Sequence, residues 1–333
     1  MLLEFMCSNH KSIKDKIVFS ALAGSDNTND DMTEEIAGVK VLKSAVIYGA
    51  NGSGKSNFID AISFVKNLVV NSITHQPGQG IRQIPHKLSG LGSESTYQVQ
   101  FVIKGIRYVF GFSLKNLLVS EEYLYYFPNG RQAKIFDRKD EKFTVGSKFR
   151  GKFSSCKDVL KPNRLLLSCA ANFTAVEEVA DAFSFFNNEL VVYSAENQDN
   201  WMNYSLYQIN SNEKMKRVVL SLTQDLGMGV KDIKVSIDQK KMESIELPPF
   251  LTDEFKNMLL QTKVDAITAK VVYEKFETDL LQDESTGVRK LFALLCPMID
   301  ILVNGKVLLC DELEASLHEA LVYELVKLFM TIK

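Results

Sequence analysis

The chain has 333 residues, is 46% hydrophobic and carries a formal charge of −2, which is enough apolar material for one large α/β domain or two smaller ones and excludes the global basicity of a dedicated nucleic-acid binder. Its five cysteines are far apart, with no Cys-x-x-Cys pair and no metal-ligand spacing to any of the four histidines. They point to reduced thiols rather than a disulfide framework, and Cys296 and Cys310, in apolar runs, read as small buried hydrophobes. Met1-Leu2-Leu3-Glu4-Phe5 lacks a basic region, an apolar stretch and a cleavage site, and no window reaches the length of a bilayer span, so a soluble cytoplasmic protein with no membrane partner is expected.

Leu2 to Cys7 and Ile17 to Leu22 read as strands joined through Asn9-His10-Lys11-Ser12, followed by a polar, turn-rich stretch from Gly24 to Thr33. The short apolar run Ala45-Val46-Ile47-Tyr48 predicts a buried strand. It leads into Gly49-Ala50-Asn51-Gly52-Ser53-Gly54-Lys55-Ser56, and apolar residues then recur at helical spacing from Asn57 to Val70. A strand, a glycine-rich turn and a helix in that order make a phosphate-binding loop. The glycines let backbone N–H groups turn inward around an anion, Lys55 reaches the outer phosphates, and the Ser56 hydroxyl completes the shell of a Mg²⁺ ion. Binding of ATP or GTP is the expectation.

Thr74 to Ser95 is rich in Gly, Pro and Ser and reads as a long surface loop. The period then changes to two. Tyr97 to Ile103, Arg107 to Leu114 and Glu121 to Phe127 alternate apolar and polar positions, with Lys104-Gly105 as a tight turn and Pro128-Asn129-Gly130 closing the third strand, which together predict an antiparallel meander. Residues 131–164 hold eleven Lys and Arg against four acids, with Phe136, Phe143, Phe149 and Phe153 interleaved. That run is either a phosphate-backbone patch with stacking rings or the solvated side of hairpins. Helical patterns cover 173–186 and 212–226, and strand-like ones 230–237 and 266–276. Nothing sustains heptads, and the surroundings of Trp201 show no usable pattern.

Glu284-Ser285-Thr286-Gly287-Val288-Arg289-Lys290 precedes a strongly apolar helix from Leu291 to Leu302, and its Ser-x-Gly turn is either a second anion site or a plain helix cap. Lys306 to Glu312 is an apolar strand ending in two acids, where an α/β nucleotide site places its metal carboxylate. Asp311 is the candidate Mg²⁺ ligand. Glu312 is the candidate to orient or deprotonate the attacking water. Ser316, in Glu314-Ala315-Ser316-Leu317-His318, is placed to cap the last helix.

The order of these pieces resembles the ABC-type ATPase heads of the SMC, RecF and Rad50 group. Leu2-Leu3-Glu4-Phe5, Asn9 to Asp15, Tyr48 to Asn51 and Glu284 to Gly287 are more closely similar to stand-alone prokaryotic ATPases of the RloA and AbiL type, associated with abortive infection and phage defence. The resemblance implies an α/β P-loop NTPase fold of ABC-ATPase type, with a mixed central sheet, an antiparallel β meander and a compact helical insert. Residues 1–73 would form the first part of the head and 74–280 the insert, its meander at about 96–147. Residues 281–333 would close the head, ending before the switch histidine and final strand of such ATPases, which implies a truncated form, the histidine's job done otherwise or slow hydrolysis, with a partner chain to cover the exposed edge.

It further implies that two copies, or a higher homo-oligomer, associate head-to-tail around ATP. Gly49 to Asn57, Asp311 and Glu312 of one copy would hold each nucleotide, with Lys55 and Glu312 catalytic and Ser56 and Asp311 on Mg²⁺, while Ser285 and Gly287 of the other copy cap the γ-phosphate. Ser316 and Leu317 would cross the dimer interface, and Asn9 to Lys14 would lie near base or ribose. The function implied is an ATPase switch controlling a separate toxin or nuclease. A RecF-like repair ATPase binding nucleic acid through 131–164, and an ATP-binding scaffold that holds a toxin with little turnover, are the alternatives.

Overall fold

The computed structural model describes residues 1–24, 30–90, 92–241 and 263–331, so part of the polar stretch after Gly24 lies outside the described residues. Numbered in chain order, the elements are β1 (Leu2–Ser8), β2 (Ile17–Ser20), β3 (Thr33–Ile36), β4 (Val39–Leu42), α1 (Lys55–Asn71), β5 (Ser95–Ile103), β6 (Ile106–Lys115), β7 (Leu118–Tyr126), β8 (Ala133–Lys139) and β9 (Lys142–Val145). There follow α2 (Cys156–Val159), α3 (Leu166–Phe173), α4 (Glu177–Ser184), β10 (Leu190–Tyr193), α5 (Gln198–Ser211), α6 (Glu213–Asp225), β11 (Asp232–Lys241), β12 (Lys263–Val272), β13 (Glu277–Asp279), α7 (Thr286–Val303), β14 (Val307–Cys310) and α8 (Glu319–Thr331). The chain divides into two units, one of residues 1–193, 304–311 and 326–333, the other of 194–303 and 312–325. The first division falls inside the stretch 74–280, and another falls between Asp311 and Glu312.

The first unit is built on a seven-stranded antiparallel sheet of order β2-β1-β5-β6-β7-β8-β9. The expected meander is its centre. Lys104 and Gly105 both take positive φ, 49° and 73°, the twist a two-residue hairpin between right-twisted strands requires. Alternation places one residue per strand in a continuous row across the sheet: Phe5 opposite Val99, Val99 opposite Phe110, Phe110 opposite Leu124, and Leu124 opposite Phe136. All five are buried. Against that face packs the apolar stripe of α1, Phe58, Ala61, Ile62, Val65, Leu68 and Val69, whose spacing is the helical period. The Phe185 ring stacks on Phe101 at 4.1 Å between centroids.

Among the described residues the parallel component of the fold is confined to β10 and β14, with Leu190 opposite Val307 and Tyr193 opposite Cys310.

In the basic run, Phe136, Phe149 and Phe153 are core residues and cannot serve as stacking platforms. Their rings are inside because β8 and the turn after β9 lay them on the sheet's packed face, where aromatic burial outweighs any exposed role. Arg138 is also inside. Its guanidinium meets Glu122 at 3.3 Å and donates to the carbonyls of Asp140 and Lys161. Glu122 in turn accepts the N–H groups of Leu166 and Leu167 at 2.6 and 2.8 Å, capping α3 from within the sheet. Burial pushes the Glu122 carboxyl above its ordinary range, with Arg138 and the two N–H groups opposing.

The second unit joins α5, α6 and α7 to the antiparallel sheet β11-β12-β13. Helix α7 buries Leu291 to Met298 and Ile301 despite carrying Pro297 in its interior. Proline has no N–H, so the Ala293 carbonyl four residues back loses its helical donor. The buried Ser205 hydroxyl of α5 replaces it, donating to Ala293 O at 3.1 Å. Trp201, Met202, Leu206 and Ile209 of the same helix are buried. Among the described residues no helix is long and apolar enough to cross a membrane.

Candidate functional site

The phosphate-loop residues stand ahead of α1. Ala45 to Tyr48 is not the buried strand that its composition predicts: these residues form no ladder, and Val46, Ile47 and Tyr48 are exposed by 76, 45 and 91%. β-propensity expresses packing on a pleated, hydrogen-bonded surface, and no described strand pairs with these residues. The loop that follows is closed by its own bonds. Ser53 N–H donates to the Ala50 carbonyl at 3.1 Å, and Lys55 Nζ donates to the carbonyls of Gly49 and Ala50 at 2.7 and 3.2 Å.

Gly52 and Gly54 take φ of 80° and 98°, left-handed values that a side chain would disfavour. Gly54 is the N-cap of α1 and, lacking a side chain, leaves the first turn without a side-chain cap. The first intrahelical bond runs from Phe58 N–H to the Gly54 carbonyl at 3.0 Å. The N–H groups of the first turn, on Lys55, Ser56 and Asn57, are therefore available to an anion, with the positive end of the helix dipole and the Lys55 ammonium beside them.

The turn after β1 is packed onto this helix start. Asn57 Nδ2 donates to Ser12 Oγ at 2.6 Å, and a Cβ on Gly54 would lie 3.0 Å from the same oxygen. His10, 2% exposed, lies between Tyr97 OH at 2.8 Å and Asp60 Oδ2 at 2.7 Å, and Lys11 Nζ meets the other Asp60 oxygen at 2.6 Å. The His10 hydrogen bond, against the opposing effect of burial and with help from Lys11, holds the Asp60 carboxyl below its usual range. The Asn9 side chain accepts from His86 N–H and donates to the Glu94 carbonyl, fixing the left-handed backbone at Asn9. The family resemblance points to Asn9 to Lys14, but Asp60 carries no motif and becomes visible only through its place in the second turn of α1.

Asp311 follows directly on β14, its N–H bonded to the Tyr193 carbonyl at 3.0 Å, so the parallel pair fixes its backbone. Asp311 makes no described contact with Lys55 or Ser56 of the same unit. Among the described residues no group of three or more His, Cys, Asp and Glu side chains gathers as a metal site. A Mg²⁺ ion bound mainly by phosphate and water needs no such cage. The Ser56 hydroxyl and the Asp311 carboxylate are hard oxygen donors of the kind it takes.

In the second unit, Ser285 caps α7, its Oγ accepting Val288 N–H at 3.3 Å while its carbonyl accepts Arg289 N–H. The hydroxyl hydrogen remains for another acceptor. Ahead of it, Glu284 receives the Tyr273 and Thr278 hydroxyls on one oxygen at 2.9 and 2.5 Å. Glu312 is exposed and, like Ser316, has a left-handed backbone, φ 51° and 63°. Ser316 does not cap α8. The helix begins at Glu319, and the residue before it, His318, supplies the cap by accepting Ala320 N–H on Nδ1 at 3.2 Å. The positive φ of Ser316 turns the chain out of helical register two residues too early for its hydroxyl to cap.

Residues 44–150, about a third of the chain, match the family described as an AAA domain, putative AbiEii toxin, Type IV TA system. Among solved structures the chain is similar to that of the recombination mediator protein RecF-ATP in the RecFOR pathway, at 15% identity over 98% of this chain and 89% of that one, with a TM-score of 0.38, a level that adds no argument about the fold. No curated protein matches the sequence.

Proposed function

We propose that this chain, with an AAA-type nucleotide domain across residues 44–150, is an ATP-hydrolysing switch whose copies engage head-to-tail around ATP and control a separate toxin or nuclease. The observation that carries the reading is the uncapped start of α1, where left-handed glycines, N–H groups of the first turn and Lys55 form an anion site inside the matched region. Lys55 binds the outer phosphates, Glu312 orients the attacking water and accepts its proton, and Ser285 and Gly287 of another copy close over the γ-phosphate. Mg²⁺ would be held by Ser56 and Asp311 and would offset charge on the phosphates. The matched family, described as a putative AbiEii toxin of a Type IV TA system, supports control of a toxin over DNA repair, and phage defence is the setting proposed for it. The burial of Phe136, Phe149 and Phe153 removes the stacking rings from the 131–164 region, so the repair reading would rest on its basic side chains alone.

The test is sizing chromatography with ATP and Mg²⁺. Glu312→Gln is expected to elute as a dimer with ATP and Lys55→Ala as without it. A nucleotide-independent elution of both variants, together with no phosphate release by the unaltered chain, would remove the reading.

A further inference from the structure

The segment that carries Glu312 is held from one side by α7. A Cβ built on Gly287 would come closer than 3.0 Å to the carbonyl oxygen of Ser316, so the helix and the segment meet backbone to backbone there. Three residues on, and thus on the same helix face, Lys290 is 5% exposed and donates through Nζ to the carbonyls of Glu312 and Ala315 at 2.6 and 2.9 Å. Within the segment, Ala315 N–H bonds the Glu312 carbonyl and Leu317 N–H bonds that of Glu314, both at 3.1 Å. The Glu312 carbonyl therefore receives two donors, one from its own turn and one from Lys290. Both ends of the turn, Glu312 and Ser316, sit in the left-handed region that non-glycine residues avoid unless their surroundings impose it. A lysine is seldom buried, and this one stays inside against two carbonyl dipoles.

We propose that Lys290 is a positioning residue for the hydrolytic step: by gripping the backbone of Glu312 and Ala315 it sets the direction of the Glu312 carboxylate and ties that direction to the Ser285-Thr286-Gly287 turn at the head of the same helix. The inference rests on the reading of Glu312 as the residue that orients water. Its physical content is that Lys290 touches no reacting atom and acts through the main chain. A group misplaced by about 1 Å can lose on the order of a hundredfold in rate.

Lys290→Met keeps the length and apolar stem and removes the donors. Expected are a kcat at least tenfold lower, a KM and a fluorescent-ATP affinity within twofold of the unaltered chain, and amide hydrogen exchange at Ala315 and Leu317 at least tenfold faster with β5–β7 unchanged. Lys290→Arg, which keeps the donors and the charge, is expected to hold at least a third of kcat. A Lys290→Met chain with unaltered kcat or unaltered exchange at Ala315 overturns the proposal, as does one in which ATP affinity falls in step with kcat. If Lys290→Met does not fold, Lys290→Gln, with an amide donor on a shorter stem, carries the same readouts. An unaltered chain that binds ATP without hydrolysing it removes the ATPase reading alone, and the exchange comparison then decides for or against Lys290.

Discussion

The helices α1 and α7 each begin at a glycine-containing turn, and the two starts are built on opposite plans. At α1 no side chain caps the helix, so the N–H groups of its first turn are left for a ligand. At α7 the Ser285 side chain takes up the Val288 N–H, Glu284 is fixed by two hydroxyls, and Lys290 and Gly287 bind the segment 312–316. One start is a receptor formed by withholding internal bonds. The other is a rigid presenter of a single hydroxyl, with its bonds spent on its own neighbourhood. Resemblance in sequence, a small residue and a hydroxyl before a helix, thus covers two different physical devices.

The widest gap between the two should open on catalysis. Glu312→Gln is expected to lower ATP turnover by about 10²–10⁴-fold without weakening ATP binding, measured by phosphate release. Lys55→Ala, which removes a charged donor from the receptor start, should lower ATP affinity by roughly 10–100-fold in a fluorescent-nucleotide titration and leave urea stability unchanged. Equal loss of affinity in both variants would break the distinction.

Stability should separate the starts in the other direction. Gly287→Ala drives a Cβ into a carbonyl oxygen and should cost about 1–3 kcal/mol in urea unfolding. Gly49→Ala meets only the end of the Ser53 side chain, 2.9 Å away and free to rotate, and should stay within about 0.5 kcal/mol. A smaller loss, about 1–2 kcal/mol, is expected for Ser205→Ala, which leaves the buried Ala293 carbonyl without a donor.

The smallest effect is chemical. Burial pushes the thiols of Cys7, Cys169 and Cys296 up to about 12 and that of Cys156 to about 11, so all four stay protonated at pH 8. Iodoacetamide on the native protein should label half-buried Cys310 first, as read by peptide mass mapping.

What was legible in the sequence was local. The meander showed because alternation and the Lys104-Gly105 turn are written within a few residues of each other, and the phosphate loop showed because its glycines and Lys55 are contiguous. Ala45 to Tyr48 misled because apolar, β-branched composition reports a preference for a ladder and cannot report whether a ladder is made. Helix α5 was hidden by Ser205, a polar residue on its buried face, which is there because of Pro297 on a distant helix. Lys290, within Glu284 to Lys290, shows no role in the sequence, since the carbonyls of Glu312 and Ala315 that it meets leave no trace in side-chain pattern. In the basic run, the sequence showed charge but not the buried pairing of Arg138 with Glu122.

The parallel pairing of β10 with β14 has a consequence for the order in which the protein comes into being. Everything from Ser194 to Val303, the larger part of the second unit, is the connection between those two strands. A ribosome working at about 5–20 residues per second makes the phosphate loop and the seven-stranded sheet first, and Asp311 roughly ten to fifty seconds after Lys55. The residues proposed to bind the phosphates are thus synthesised before either acidic residue exists. The carboxylates that would give them metal and hydrolysis arrive last.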